Sequence, residues 1–318
     1  MILLTGGSGF LGRHVLRRLL AAGASVRCLA RRGAPGTAWL REQPVELTLG
    51  HLLAPDAVAQ SCRGVRQIIH LAAPVREVRD AVVDAFHREG TLSLLEAARA
   101  AGVERLVMVS PLGSAPSAGL PFLRSRGAAE QHVRESGVPH VLLQSSLMFG
   151  AGDRLVEGLI RVLRRTGVVL LPGTGRTLVQ PIWVGDVVSC ILRALQEDDC
   201  VDRTIPIGGP QHLSYEEIAD QVSKMMNLPR VKLHLSPRAL GWTVRLLETF
   251  GQHLFLGYRH LELLDVGTVT APDAVVRSFG FHPMPLIEGI AYQVATASAA
   301  GAVRPSGAER GSRSSRRR

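Results

Sequence analysis

Lysine is almost missing from this chain. Only Lys224 and Lys232 occur among 318 residues, so basic charge is carried by arginine and no lysine precedes residue 224. Tyrosine is nearly as scarce, with Tyr215, Tyr258 and Tyr292, and aromatic residues make up 4% of the chain. The four cysteines (Cys28, Cys62, Cys190 and Cys200) show neither CxxC spacing nor a histidine partner pattern, which excludes the common zinc and disulfide frameworks. They read as reduced, mostly buried thiols of a cytoplasmic protein. No uncharged apolar run approaches the roughly 18 residues of a membrane span. The first strand opens at residue 2, leaving no room for a signal or transit peptide. HExxH and Gly-x-Ser-x-Gly are both absent, and Gly113-Ser114 sits in a Pro/Ser/Gly loop without the elbow context.

What is present describes a globular protein with ample core, 46% hydrophobic and 20% charged. The formal charge of +10 points first to nucleic acid. Residues 301–318, however, hold six arginines against Glu309, a surplus of +5, in a Ser/Gly/Arg tail that cannot form a core. A solvated, disordered end explains half of the excess. An RNA-binding scaffold working through the tail is the competing reading, and its affinity would weaken steeply with salt.

The chemistry concentrates at the N-terminus. Ile2 to Leu4 form an apolar run fit for a buried strand. Gly6, Gly9 and Gly12 follow, and then Val15, Leu16, Leu19 and Leu20 recur at helical spacing. Strand, glycine-rich turn and helix start in that order make a dinucleotide site. The glycines permit the turn and a close backbone approach, and the amino end of the helix, through Phe10 and Leu11, holds a pyrophosphate. The second strand, Ser25 to Ala30, ends at Arg31 and Arg32, where the adenosine ribose of such a fold lies. An acidic residue there would bond a 2′-hydroxyl, whereas arginine suits a 2′-phosphate. This favours NADP(H), with NAD(H) the alternative if Arg31 is an ordinary loop residue.

Further strands are expected at Val45–Leu49, Gln67–Ala73, Arg105–Ser110 and His140–Gln144. Helices are expected at Pro55–Gly64, 78–101 and Arg124–Ser136. The alternation implies an α/β fold, a Rossmann-type doubly wound parallel sheet over residues 1–150. Beyond it lies a smaller C-terminal α+β substrate-side region at 151–298, some of whose elements return to the sheet, and then the basic tail at 299–318. That region shows a helix at Leu155–Arg165, short strands at Val168–Leu171 and Leu178–Pro181, and a helix to Leu195 that Asp186 can cap. A strand at Thr204–Gly208 and a capping box at Ser214-Tyr-Glu-Glu217 follow. The apolar stripe Leu240, Val244, Leu247, Phe250, Leu254 and Phe255 reads as packing against this region, or as a face for a membrane surface or partner.

The chain resembles the extended, atypical branch of the short-chain dehydrogenase/reductase superfamily. The resemblance rests on Thr5-Gly-Gly-Ser-Gly-Phe-Leu-Gly12, His70-Leu-Ala-Ala-Pro74, Glu89-Gly-Thr-Leu-Ser-Leu-Leu-Glu-Ala-Ala98, Val107-Met-Val-Ser110, Phe149-Gly150 and Pro181-Ile-Trp-Val-Gly-Asp-Val187. It is most similar to the group that contains the nucleotide-binding accessory subunit of respiratory complex I. The resemblance implies that Leu71, Ala72 and Ala73 flank the adenine–ribose region. It further implies a tyrosine general acid/base with a lysine four residues later, supported by a serine and an asparagine. Those positions fall on Phe122 and Arg126, on Ser110 and on His87. Phe122 has no proton to give, and Arg126 keeps a cation for the second ribose but relays no proton. Nor can the dyad lie elsewhere, because Ala219, Glu262 and Thr296 stand four residues beyond the three tyrosines. Ser145 replaces the usual proline after the sixth strand, and His51 the usual acid near adenine.

The remaining acid/base candidates are thin. Ser110 alone matches, His87 is a stand-in proton carrier at best, His70 reads as an interior histidine and Asp153 as a helix cap. Two functions therefore compete. One is a dinucleotide-binding protein that stabilises itself or reports redox state to a protein partner. The other is an active NADP-dependent oxidoreductase or epimerase-like enzyme acting on a small molecule through Ser110 or His87.

Overall fold

The computed structural model describes residues 1–73, 80–153, 155–228, 230–236 and 267–293. Seven parallel strands form one sheet: β1 (Ile2–Thr5), β2 (Val26–Ala30), β3 (Glu46–Leu49), β4 (Gln67–His70), β5 (Arg105–Pro111), β6 (His140–Ser145) and β7 (Arg203–Ile207). Across the sheet they run in the order β7-β6-β5-β4-β1-β2-β3. The chain first winds outward from β1 through β2 to β3, then returns to lay β4, β5 and β6 on its other side. The crevice of a doubly wound sheet opens where that direction reverses, beyond the carboxyl ends of β1 and β4.

Each face of the sheet is covered because the strands are apolar on both sides. Leu4, Cys28, Ile69, Val107 and Val141 pack with Val15, Leu16 and Leu19 of α1 (Phe10–Ala21) and Ile191 of α7 (Val184–Gln196). Leu3, Ile68, Leu106, Met108 and Leu142 pack against α3 (Pro55–Cys62), α4 (Asp80–Ala100) and α5 (Pro121–Glu135). A separate cluster, with Phe149, Leu159, Tyr215, Ile218 and Ile290, joins α6 (Val156–Thr166) and α8 (Tyr215–Met225) to the helical residues 286–293.

Several local readings need adjustment. A helix that the sequence reading missed, α2 (Pro35–Arg41), follows β2; its signal was the proline at its first turn. The start of α5 lies three residues ahead of Arg124 because Pro121 takes that same position. The strand expected from Thr204 pairs with β6 and edges the large sheet, so the chain returns there after residue 150. Asp186 does not cap α7: it lies inside the first turn and accepts the amide of Met284 at 2.7 Å. The capping box at Ser214 and Glu217 is formed as expected. The stripe from Leu240 to Phe255 and the arginine tail lie outside the described residues.

The seat of α5 matters most for the site. A Cβ at Gly127 would lie 2.1 Å from the backbone carbon of Ala115. Alanine in a helix interior usually gains up to about 1 kcal/mol over glycine. Here the backbone clash dominates, so Gly127→Ala should destabilise the fold by about 1–3 kcal/mol. A urea titration showing a higher midpoint for the variant would contradict this packing.

Candidate functional site

The glycine-rich turn is shaped by contacts that exclude side chains. Gly6 has φ +74°, and a Cβ there would lie 2.7 Å from the carbonyl carbon of Leu71. A Cβ at Gly12 would lie 2.1 Å from the carbonyl oxygen of Gly6, so α1 rests directly on the turn. Gly9 is the residue before α1 in extended conformation, no side chain caps the helix, and its first turn holds no acid. The amides of Phe10, Leu11 and Gly12 therefore stand at a bare helix start, the arrangement that receives an anion. Leu71 and Ala72 close one side, their amides donating to the carbonyl and hydroxyl oxygens of Thr5. On the other side His14 Nε2 meets the carbonyl of Ala151 at 2.8 Å, which brings the 150–153 loop over Phe10.

Asp153 holds that loop. Its carboxylate accepts the amides of Gly150 and Val156 at 2.7 Å and of Glu157 at 3.1 Å, so it anchors the start of α6 as a helix-capping group would. Burial pushes its pKa up to about 6 against those three donors.

Beyond β2, Arg31 and Arg32 are exposed. The Arg31 carbonyl accepts Thr37 Oγ1 at 2.7 Å, tying the loop to α2, and α2 in turn touches the turn through Gly36 and Ser8. Arg13 donates to the Ser8 carbonyl at 3.0 Å and lies over the Trp39 ring, 4.9 Å from its centroid.

The third part lies at the ends of β4 and β5 against α4 and α5. His70 is 1% exposed, with Nδ1 2.8 Å from Thr5 Oγ1 and Nε2 3.5 Å from Thr91 Oγ1. It is the satisfied interior histidine expected. His87 is also buried, its Nδ1 2.7 Å from Ser125 Oγ and its ring edge-on to Phe122 at 5.7 Å. Arg126 is buried and donates through Nη2 to the Val109 carbonyl. Ser110 donates its hydroxyl proton to Glu130, a carboxylate that the sequence reading did not single out. The signal for it was spacing: Phe122, Arg126, Glu130 and Arg134 recur every four residues along one stripe of α5. Glu130 also accepts Gln144 Nε2 at 2.9 and 3.1 Å and Arg134 Nη2 at 2.8 Å. An ionised carboxylate only accepts, so Ser110 turns lone pairs, and not its proton, away from Glu130. Among the described residues no cluster of His, Cys, Asp or Glu could hold a metal ion, and no helix is long and apolar enough to cross a membrane.

Comparison with known proteins fits this geometry. Residues 2–118 match the NAD dependent epimerase/dehydratase family. The chain is 27% identical over 230 residues to the NADH dehydrogenase [ubiquinone] 1 alpha subcomplex subunit 9 of Arabidopsis thaliana, covering 70% of this chain and 56% of that one. It is 30% identical over 169 residues to a ceramide reductase of Caulobacter vibrioides, covering 53% of each. The chain thus spans little more than half the length of either relative. The photosystem II assembly factor Ycf39 of Guillardia theta is 27% identical, with 74% of each chain covered. Among solved structures, UDP-glucose 4-epimerase from Thermotoga maritima superposes with a TM-score of 0.75 at 19% identity, covering 94% of this chain and 99% of that one. An NADPH-dependent quinone oxidoreductase from Escherichia coli, complexed with NADPH, reaches 0.73 at 16% identity, covering 92% and 99%. These low identities speak to the fold alone.

Burial, with Arg126 adding to it, lowers the His70 pKa from 6.5 to about 3. The unfolded chain therefore takes up a proton on this side chain at a pH where the folded one does not. The stability it contributes is complete above pH 6.5 and is lost as pH falls toward 3. Asp153 acts with the opposite sign, its raised pKa favouring the folded state below about 4 and ceasing to do so as pH rises to about 6. His70→Leu should melt lower than the parent at pH 7, having lost both threonine contacts, yet lose less Tm between pH 6.5 and 4.5. Parallel pH slopes in the two proteins would argue against a neutral buried imidazole.

Proposed function

We propose that this chain is an extended short-chain dehydrogenase/reductase of the atypical branch, a dinucleotide-binding protein that has given up the family's proton-transfer machinery. It takes NADP(H) in preference to NAD(H). The observation that carries the reading is the uncapped start of α1, seated so tightly on Gly6 that no Cβ fits at Gly12. That cradle suits a pyrophosphate, held by the amides of Phe10, Leu11 and Gly12. Leu71, Ala72 and Ala73 line the adenine–ribose wall, and Arg31 pairs with a 2′-phosphate. Arg126 takes the hydroxyls of the second ribose through N–H groups that have no partner among the described residues. When bound, a nicotinamide dinucleotide would supply hydride chemistry.

The residues beside its reactive end supply little for that chemistry. Phe122 holds the place of the family tyrosine and Arg126 that of the lysine. Loss of a general acid removes about 10²–10⁴ in rate. Ser110, its proton committed to Glu130, does not donate to a carbonyl oxygen. The role that remains is binding: a protein whose loaded state steadies it for a partner, in keeping with likeness to a respiratory-complex subunit and a photosystem assembly factor. Its four buried, free thiols suit a reducing compartment such as the cytoplasm.

Likeness to a ceramide reductase favours a second reading, an active reductase with a proton donor from solvent or substrate. Calorimetry with the pure protein should give measurable NADPH binding that Gly12→Val abolishes and Arg31→Glu weakens roughly tenfold or more, as loss of a charge-assisted contact implies. A panel of carbonyls and enones with NADPH should give no turnover above background. Turnover that disappears in His87→Ala or Ser110→Ala would establish the second reading instead.

A further inference from the structure

Arg126 carries a charge that the described residues around it do not neutralise. Its side chain is 97% buried, since 3% is exposed, and its one hydrogen bond goes to a neutral carbonyl. Nε and Nη1 have no partner among the described residues. Among the described residues, the carboxylate whose charge reaches Arg126 is Glu130, four residues along the same helix face. Glu130 is fully buried, and its two oxygens receive Ser110, Gln144 twice and Arg134. Four contacts fill the acceptor positions of a carboxylate, and Arg126 has none of them. The two arginines and one glutamate leave one positive charge over. His70 does not offset it, because a neutral imidazole brings no negative charge. A buried cation with unfilled donors is costly unless a ligand completes it.

That surplus has a direction in the fold. The adenosine half of a dinucleotide points toward β2, so the nicotinamide half extends past β4 to β5 and α5, where Arg126 stands. The reduced ring is neutral and the oxidised ring carries a positive charge, while every other part of the molecule is the same in both. Contacts at the glycine turn and at Arg31 bind the two forms equally and cannot tell them apart.

We infer that Arg126 makes this pocket a discriminator of nicotinamide redox state, holding the reduced dinucleotide more tightly than the oxidised one. The inference rests on the dinucleotide reading above and goes beyond it by assigning what the bound state reports. Two like charges about 8 Å apart at an effective dielectric of about 20 shift affinity about 30-fold. The protein would therefore stay loaded in a reducing environment and release its ligand on oxidation, without any turnover of its own.

Calorimetric Kd values for NADPH, NADP+, NADH and NAD+ on the full chain test this directly. The expected result is a reduced-over-oxidised preference of about 30-fold within each pair, retained in Arg126→Lys, which keeps the charge. In Arg126→Gln both forms lose the ribose contacts, and the preference should fall roughly tenfold or more because the oxidised form is relieved of a like charge and so loses less. A residue serving only to hold the fold would weaken both forms alike and leave their ratio unchanged. Should Arg126→Gln fail to fold, the parent protein at about 0.05 and 0.5 M salt decides. A buried charge is little screened, so the preference should persist, whereas one produced by exposed arginines should collapse. Equal affinities for the two forms in the parent protein, or an unchanged ratio in Arg126→Gln, overturn the inference while leaving dinucleotide binding intact. Failure of all four nucleotides to bind overturns the cofactor reading itself, and this inference with it.

Discussion

One contact governs the rest of the molecule: the first turn of α1 pressed onto the carbonyl of Gly6. Because the Gly12 Cα sits where any side chain would collide, the helix axis is brought close to β1. Its unpaired amides face the crevice at the point where the sheet reverses direction. The same turn passes within contact of Leu71, so the end of β4 is held against it. The anion-receiving end of α1, the loop after β4 and, through Thr5, the buried His70 are thereby tied into one unit.

The opposite half of the crevice shows a different economy of groups. On the proposed reading Phe122 and Arg126 stand where the family has its tyrosine and lysine, and taken alone they read as losses. Around them the protein has built a complete internal network. Glu130 collects Ser110, Gln144 and Arg134, while His87 is held by Ser125 and covered by Phe122. Each polar group so engaged is one fewer available to a reacting substrate. Among the described residues, the Arg126 guanidinium retains donors without partners. A buried cation with open donors beside a carboxylate that is already engaged is arranged to hold a ligand, and less well arranged to move protons on it.

Much of this was legible beforehand, and the reasons differ by element. The Gly6, Gly9 and Gly12 pattern is local: chain direction reverses within a few residues, so spacing alone declares the turn. Helices α1, α4 and α8 carried their own start or stop signals, among them the Ser214 capping box and the glycines at 23 and 102. Helix α2 is not legible as a period, because its seven residues are too few to show one. The role of Asp186 is not legible locally, because its partner, the amide of Met284, is 98 residues away in the chain.

What the amino-acid order determined unaided is the class of fold and the place of the glycine-rich turn, since both arise from contacts among near neighbours and from strand–helix alternation. The absence of a Tyr–Lys pair is likewise a fact of order alone. Tertiary structure decided which way Ser110 points its proton and that, among the described residues, Arg126 keeps guanidinium donors without partners. Both depend on Glu130, brought against β5 and β6 by the packing of α5, and on how many donors that one buried carboxylate can accept. No pattern along the chain counts those donors, because they come from three different stretches, β5, β6 and α5, that meet only when α5 packs onto the sheet.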